Sequence, residues 1–236
     1  MDELVSLSAP VVFFTGAGIS VGAGLPTYRG TGGLYESSSL QPPNADDVTP
    51  ERLPELWERF RPRLQAYDEL RPAKAHMEIA ALEVSMPEAI TVVTQNVDGL
   101  HTVAGSTRVI ELHGSLRRVR CLGQNHLSDI RDAPWDDDDT PRCPTCGAMC
   151  RPDIVLFGES LPVGAFNDAG TVMRAANTVV AVGTSAVVYP AAHLISEQYT
   201  AGRRCVWVNP ESPPPTTSWT WLQSPADEGV SRLVPS

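Results

Sequence analysis

The chain is short of positive charge. Its 236 residues carry 18 Lys and Arg against 28 Asp and Glu, a formal net charge of −10. A nucleic-acid binder needs a basic face for phosphate contacts, so that class is disfavoured. Long apolar runs are also missing. No stretch approaches the ~18 residues of a membrane-crossing helix. The first residues, "MDELVSLSAP", contain acids and no basic segment, so no secretion signal is expected. The cysteines number five, which is odd. An odd count suits a reducing compartment, the cytoplasm by default, better than a disulfide framework. What remains, 42% hydrophobic and 19% charged residues, is the composition of a globular chain with a sizeable core.

Short apolar runs are abundant. "VVFFT", "AITVVTQN", "TRVIELH", "NTVVAVGTS" and "CVWVNPE" alternate with helical segments over Trp57 to Tyr67 and Ala73 to Val84. That alternation predicts a parallel sheet with helices on both faces. Further expectations are a helix starting at Ile19 to Gly24 and a strand over "IVLFGE". Tyr28 to Pro54 reads as a long loop or lid, Leu122 to Arg142 as irregular, and the tail after Pro213 as weakly patterned. The four Asp of "DDDD", Asp136 to Asp139, read as a solvated loop, since their spacing does not suit calcium.

Four strands end in polar clusters: Gly16 to Ser20, Gln95 to Asp98, Gly183 to Ser185 and Asn209 to Glu211. In an open α/β sheet the ligand lies outside the carboxyl ends of the strands, so these clusters converge on a binding site. Gly16 and Gly18 would let the backbone approach a pyrophosphate at a helix N-terminus, but the spacing departs from G-x-G-x-x-G, because Val21 stands where the third glycine belongs. Gln95, Asn96 and Asp98 suit a carboxamide and sugar hydroxyls, or an Asx-turn cap. His113, between a strand and Gly114, is a candidate general base, or a structural histidine.

Taken together, "GAGIS", "GLPTYRG", "TQNVDGLH", "ELHGS", "CPTCG", "RPDIVLFGE", "VGTSAVVYP" and "VNPE" stand in an order that resembles the sirtuin family. These are NAD-dependent protein-lysine deacylases, and the likeness is to the bacterial desuccinylase/deacetylase type. It covers about residues 10 to 211. The resemblance implies a Rossmann-type domain (1–29, 84–116 and 153–236), a cofactor-loop and helical module (30–83), and a small zinc-ribbon-like module (117–152). It implies that NAD is consumed, its ADP-ribose taking the acyl group from an acyl-lysine protein.

By the same resemblance, His113 is the base, Asn96 positions ribose or water, Asp98 meets the nicotinamide amide and Gln95 a ribose. Gly16, Ala17, Gly18, Ser20, Gly183, Thr184 and Ser185 line the phosphate path, and Asn209 and Glu211 the adenine ribose, with Ala226 near adenine. Thr27, Arg29 and Tyr35 lie on the closing loop. Val155, Phe157, Gly158 and Glu159 form one edge for the substrate peptide, and Val187 and Tyr189 the other. Phe60 and Arg63 fall where desuccinylating members pair tyrosine with arginine, and Val48 where they have a smaller alanine. Deacetylation with weaker desuccinylation or demalonylation follows.

A structural zinc is implied as well, but only one Cys-x-x-Cys pair is intact, Cys143 and Cys146. Cys121 lacks its partner. His126 completes a Cys3His set, a common zinc combination. Cys150 competes for the place, though it falls where the family has an apolar residue, and loss of the metal is the third possibility. Competing functions are protein mono-ADP-ribosyl transfer and, from another class, a zinc-ribbon nucleic-acid module.

Overall fold

The computed structural model describes residues 4–27, 33, 42–186 and 189–236, without the side chains of 67, 68 and 199. Its centre is a six-stranded, all-parallel sheet. In chain order the strands and helices are β1 (Val5–Leu7), β2 (Val11–Thr15), α1 (Leu53–Glu69), α2 (Lys74–Ser85), β3 (Ile90–Thr94), α3 (Leu100–Ala104) and β4 (Val109–Glu111). There follow β5 (Gly114–Cys121), β6 (Leu127–Asp129), β7 (Cys150–Ile154), α4 (Val163–Ala175), β8 (Thr178–Val182), α5 (Ala191–Thr200) and β9 (Arg204–Val208). The chain ends with β10 (Thr220–Leu222), α6 (Ala226–Val230) and β11 (Leu233–Pro235).

The sheet order is β10-β9-β8-β2-β3-β4. Strand side chains alternate between faces, and here both faces are covered. Phe13, Val92, Val180 and Val206 meet Ala75 and Ile79 of α2 and Val230 of α6 on one side. Phe14, Val93, Val179 and Trp207 meet Met173 of α4 and Leu194 and Ile195 of α5 on the other. The apolar runs of β2, β3, β8 and β9 are therefore buried strands, as their composition predicts, while β4 at the sheet edge is half-buried.

A second, antiparallel sheet of order β6-β5-β7 forms the small module. Its interior is not its own. Leu53, Leu56, Trp57 and Phe60 of α1 share one cluster with Val119, Cys121, Cys143 and Cys150. The indole N–H of Trp57 donates to the Cys150 carbonyl at 2.8 Å.

Four expectations need correction. The helix after β2 is a 3₁₀ helix over Ala17–Ala23, closed by Gly24 at φ +88°. The expected "IVLFGE" strand lies earlier, at Cys150–Ile154, because the Glu159 carboxylate accepts from Leu156 N–H and folds the later residues into a turn. The segment 122–142 is not wholly irregular, since it holds β6 and a 3₁₀ turn over Ile130–Asp132. The tail is ordered too: β10 extends the sheet and β11 pairs with β1. Of the four aspartates, Asp136 pairs with Arg142 and Asp139 with Arg61, so part of the run is tied down.

Candidate functional site

Because β2, β3, β8 and β9 run parallel, their polar ends fall on one edge. They are bonded to one another. Gly16 N–H donates to Val182 O at 3.0 Å and Gly18 N–H to Gly183 O at 2.9 Å. The Gln95 amide donates to Thr184 Oγ1 at 3.0 Å, and the Asn209 amide to Thr184 O at 3.0 Å. Asn209 Oδ1 in turn accepts from the N–H groups of Glu211 and Ser212.

The glycine spacing has its reason here. Gly16 is extended, a conformation open to any residue. A Cβ on Gly16 would lie 2.8 Å from Gly183 O, and one on Gly18 would lie 2.6 Å from Gly183 Cα. The loop after β2 presses backbone to backbone on the loop after β8, and Gly183 at φ +59° accepts it. Two of the glycines thus serve loop packing.

Asn96 and Asp98 are buried at the centre of the edge. The Asn96 amide donates to Gly16 O at 3.1 Å and to Ser20 Oγ at 3.2 Å, and Ser20 Oγ donates to Asp98 Oδ2 at 2.8 Å. Asp98 Oδ1 accepts from Leu100 N–H, the Asx-type cap foreseen as an alternative, yet its other oxygen stays in the polar network.

His113 stands in the short link between β4 and β5, with Nδ1 2.7 Å from Gln95 O. A carbonyl only accepts, so Nδ1 carries the proton and Nε2 keeps its lone pair. Burial lowers the pKa of His113, against the opposing pull of that hydrogen bond. The result is a neutral imidazole, the form a general base needs. A Cβ on Gly114, at φ +75°, would lie 2.0 Å from Asp153 O. Glycine there lets β5 cross β7 closely and sets the turn that presents His113.

Sequence reading missed the support under this edge. Thr94 Oγ1 accepts from Asn96 N–H at 3.1 Å and from Thr15 Oγ1 at 2.8 Å, and Thr15 Oγ1 lies 3.0 Å from His101 Nε2. His101 stacks edge-on with His76 at 4.7 Å, and both are buried. Burial drives the pKa of His101 down to about 3 and lowers that of His76. Arg117 was missed as well: its Nε donates to Asp98 O at 3.1 Å. Polar residues at strand ends were the available signal for Thr15 and Thr94. Nothing local marks Arg117.

The remaining candidates separate by location. Ala17 opens the 3₁₀ helix after β2, Ser185 follows β8, and Thr27 lies in the irregular segment after that helix. Ala226 is buried with Val230 and Leu233, so its methyl is a core contact. Phe157 and Tyr189 are exposed. Phe157 forms a parallel bridge with Asn44, its N–H donating to Pro43 O and its carbonyl accepting from Ala45 N–H. Gly158 follows at φ +85°, and Glu159 pairs with Arg151, beyond Val155. Phe60 lies inside the core with Trp57, and the Arg63 guanidinium sits 5.8 Å from its ring centroid, half-buried. Val48 packs on the edge of the same cluster. Tyr28, Arg29, Tyr35 and Val187 lie outside the described residues.

At the tip of the small module, the donor atoms of Cys121, His126, Cys143 and Cys146 all lie within 4.8 Å of one another. Cys121 Sγ is 3.4 Å from Cys146 Sγ, and Cys143 Sγ is 3.5 Å from His126 Nδ1. Tetrahedral zinc with bonds of about 2.0–2.3 Å sets its ligands ~3.5–3.8 Å apart, so the set fits. Burial opposes ionisation of Cys143, but the His126 ring and the N–H groups of Cys146 and Thr145 bring its thiol down to about 6. Cys150 is outside the group, its thiol pushed up to about 12 by burial. His126, and not Cys150, completes the set.

A doubly wound sheet with four interlocked loops at its carboxyl edge defines a dinucleotide-binding α/β protein. The Sir2 family model matches residues 16–190. An NAD-dependent protein deacylase of Pyrococcus furiosus is 37% identical over 243 residues, 99% of this chain and 95% of the relative. One from Thermus thermophilus is 40% identical over 235 residues, 95% of this chain and 89% of the relative. An NAD-dependent protein deacetylase of Cutibacterium acnes is 41% identical over 213 residues, 87% and 84% of the two chains. Among solved structures, a Sir2–p53 peptide–NAD+ complex superposes with a TM-score of 0.81 at 32% identity, covering 94% of this chain and 90% of that one. The chain belongs to the Sir2 family.

Proposed function

We propose that this protein is an NAD-dependent protein-lysine deacylase. The observation that carries the reading is His113. It is a neutral imidazole held by Gln95 O at 2.7 Å, beside the buried Asn96–Ser20–Asp98 network. NAD, the co-substrate, supplies an ADP-ribosyl acceptor and nicotinamide as leaving group. The acyl oxygen attacks the ribose C1′, water completes the hydrolysis of the amide, and lysine and acyl-ADP-ribose leave.

The chain's own residues divide the remaining work. His113 Nε2 takes the proton from a ribose hydroxyl. Asn96 positions ribose or water, and Asp98 holds the carboxamide of nicotinamide. The glycine-packed loops at Gly16, Gly18 and Gly183 carry the phosphates, and Asn209 and Glu211 the far ribose. The substrate peptide runs along the edge formed by Val155, Phe157, Gly158 and Glu159, where the Phe157 backbone already bonds to Pro43 and Ala45 and the Glu159 N–H to Leu156 O. Cys121, His126, Cys143 and Cys146 hold a structural zinc.

Incubation with an acyl-peptide and labelled NAD tests the reading. Label should appear in acyl-ADP-ribose. Label bound covalently to protein would instead mean ADP-ribosyl transfer.

Acetyl-lysine is the preferred substrate on this reading. Phe60 lacks the hydroxyl that would meet a distal carboxylate, and its ring is packed inside the core. Arg63, above that ring, is left to pair with the carboxylate by itself. Phe60→Tyr should raise activity on succinyl-lysine by roughly tenfold if the new hydroxyl reaches Arg63. No change in the succinyl-to-acetyl ratio would remove these residues from acyl selection.

Among the described residues no helix is long and apolar enough to cross a membrane, and the five cysteines are free. A reducing compartment, the cytoplasm, suits both the free thiols and the metal-binding set.

A further inference from the structure

β5 and β7 pair at both ends but not between. Gly114 lies opposite Ile154 and Ser115 opposite Asp153, and the next paired residues are Val119 and Pro152. The residues between Ser115 and Val119 thus bulge away from β7, just after the turn that carries His113. A bulge gives up ladder bonds and re-aims the strand, so the local geometry has to be held by other contacts. Here charged side chains hold it. Arg118, in the bulge, donates through Nε to Asp153 Oδ2 of β7 at 2.9 Å and through Nη1 to Glu111 Oε2 of β4 at 2.6 Å. Arg120 donates to Asp153 Oδ1 through Nε at 2.9 Å and through Nη2 at 2.6 Å. The Arg118 fork therefore ties β4, β5 and β7 together. The carboxylates of Asp153 and Glu111 are 7% and 14% exposed, so water screens these pairs less than it screens surface ones.

Both carboxylates flank His113. Glu111 stands two residues before it, and Leu112 N–H, between them, donates to Thr94 O at 2.9 Å. Asp153 stands two residues before Val155, whose N–H donates to the His113 carbonyl at 2.9 Å. The His113 backbone thus hangs between the end of β4 and the end of β7, and Arg118 joins the two. The His113 ring is aimed from a third segment, by Gln95 O. Catalysis is sensitive to such aim, since displacement of a reacting group by about 1 Å can cost ~10²-fold.

We propose that Arg118, through Glu111 and Asp153, is a positioning residue for His113, acting on the base and not on the substrate. The proposal rests on the deacylase reading above. On that reading nicotinamide departs before His113 takes its proton, so the two steps can be measured apart. With an acetyl-lysine peptide present, exchange of labelled nicotinamide into NAD reports the first step, and acyl-ADP-ribose formation the second. Wild-type protein that does neither would fail the deacylase reading, whatever the variants do. In Arg118→Met, which leaves Asp153 to Arg120, kcat for deacylation should fall roughly tenfold while exchange and the KM for NAD stay within about twofold. Glu111→Leu should match it, and the double variant should be no worse than either alone, because the two residues share one contact. Glu111→Gln keeps an acceptor for Arg118 and should recover most of the loss. Arg118→Lys keeps the charge but not the fork, so it should fold and still lose roughly threefold in kcat alone. Exchange and deacylation falling together would make the network general structural support and overturn the proposal. So would wild-type kcat in Arg118→Lys and Glu111→Leu, or losses in Arg118→Met and Glu111→Leu that simply add. If Arg118→Met does not fold, Arg118→Lys and Glu111→Leu decide by the same split between exchange and deacylation.

Discussion

The carboxyl edge of the parallel sheet and the tip of the small module are both polar and both built from loops, yet they are held in opposite ways. At the sheet edge, backbone meets backbone: Gly18 N–H reaches Gly183 O at 2.9 Å, and buried side chains bond to one another without outside help. At the module tip, three thiols and an imidazole face each other within 4.8 Å. The first arrangement is preorganised by sterics and hydrogen bonds. The second is a donor set that a bound cation would neutralise. One region has its shape before it meets a ligand, and the other has donors gathered for one.

The largest effect should come from the preorganised edge. His113→Ala should leave folding and NAD binding intact while turnover falls by roughly 10²–10⁴-fold, the usual range for acid–base catalysis. Single-turnover deacylation alongside NAD titration measures both, and near-normal turnover would remove His113 from the chemistry.

Metal removal comes next and should act elsewhere. Purified protein should hold about one zinc, Cys143→Ser should lose it, and Cys150→Ser should keep it. Chelation should strip hydrogen-exchange protection from β5 to β7. Because Trp57 and Phe60 share that core, α1 should loosen too, while β2, β3, β8 and β9 stay protected. Uniform loss across the sheet would break the contrast between the two regions.

A smaller change probes glycine packing. Gly18→Ala places a methyl 2.6 Å from Gly183 Cα, so backbone must give. Overpacking of this kind costs about 1–3 kcal/mol. A lower melting temperature with a raised KM for NAD is expected, and an unchanged melting temperature would mean the loops yield freely.

The last effect is with pH, and it is small only close to neutrality. His76, His101 and His113 all have lowered pKa values, burial being the first cause in each. The unfolded chain then binds protons that the folded chain refuses, so stability falls as pH drops below about 6.5, by roughly 1.4 kcal/mol per pH unit for each histidine in its window. For His101 that window runs from 6.5 to about 3. The low pKa of His113 also keeps the base form available below 6.5. Denaturant midpoints between neutral and mildly acidic pH measure the slope, and His101→Gln should flatten it.

The strands were readable because parallel strands buried on both faces must be apolar throughout, as Val11 to Phe14 and Val179 to Val182 are. Their polar ends were readable because chain direction alone puts Gln95, Gly183 and Asn209 on one side. Motif order gave His113, and spacing gave Cys143 and Cys146. Other features depend on contacts between distant segments. The sequence does not say that Gly183, and not a phosphate, is what Gly18 must avoid. It named His126 ahead of Cys150, but what brings the His126 ring to the thiols is how β5, β6 and β7 pair. Arg117 reaches Asp98 only after β5 folds back along the edge, and β10 finds β9 only once the tail has crossed the sheet. Periodicity and chain direction are local and survive in one dimension. Close approach, donor convergence and shared cores are distances between remote residues, and only the folded chain sets them.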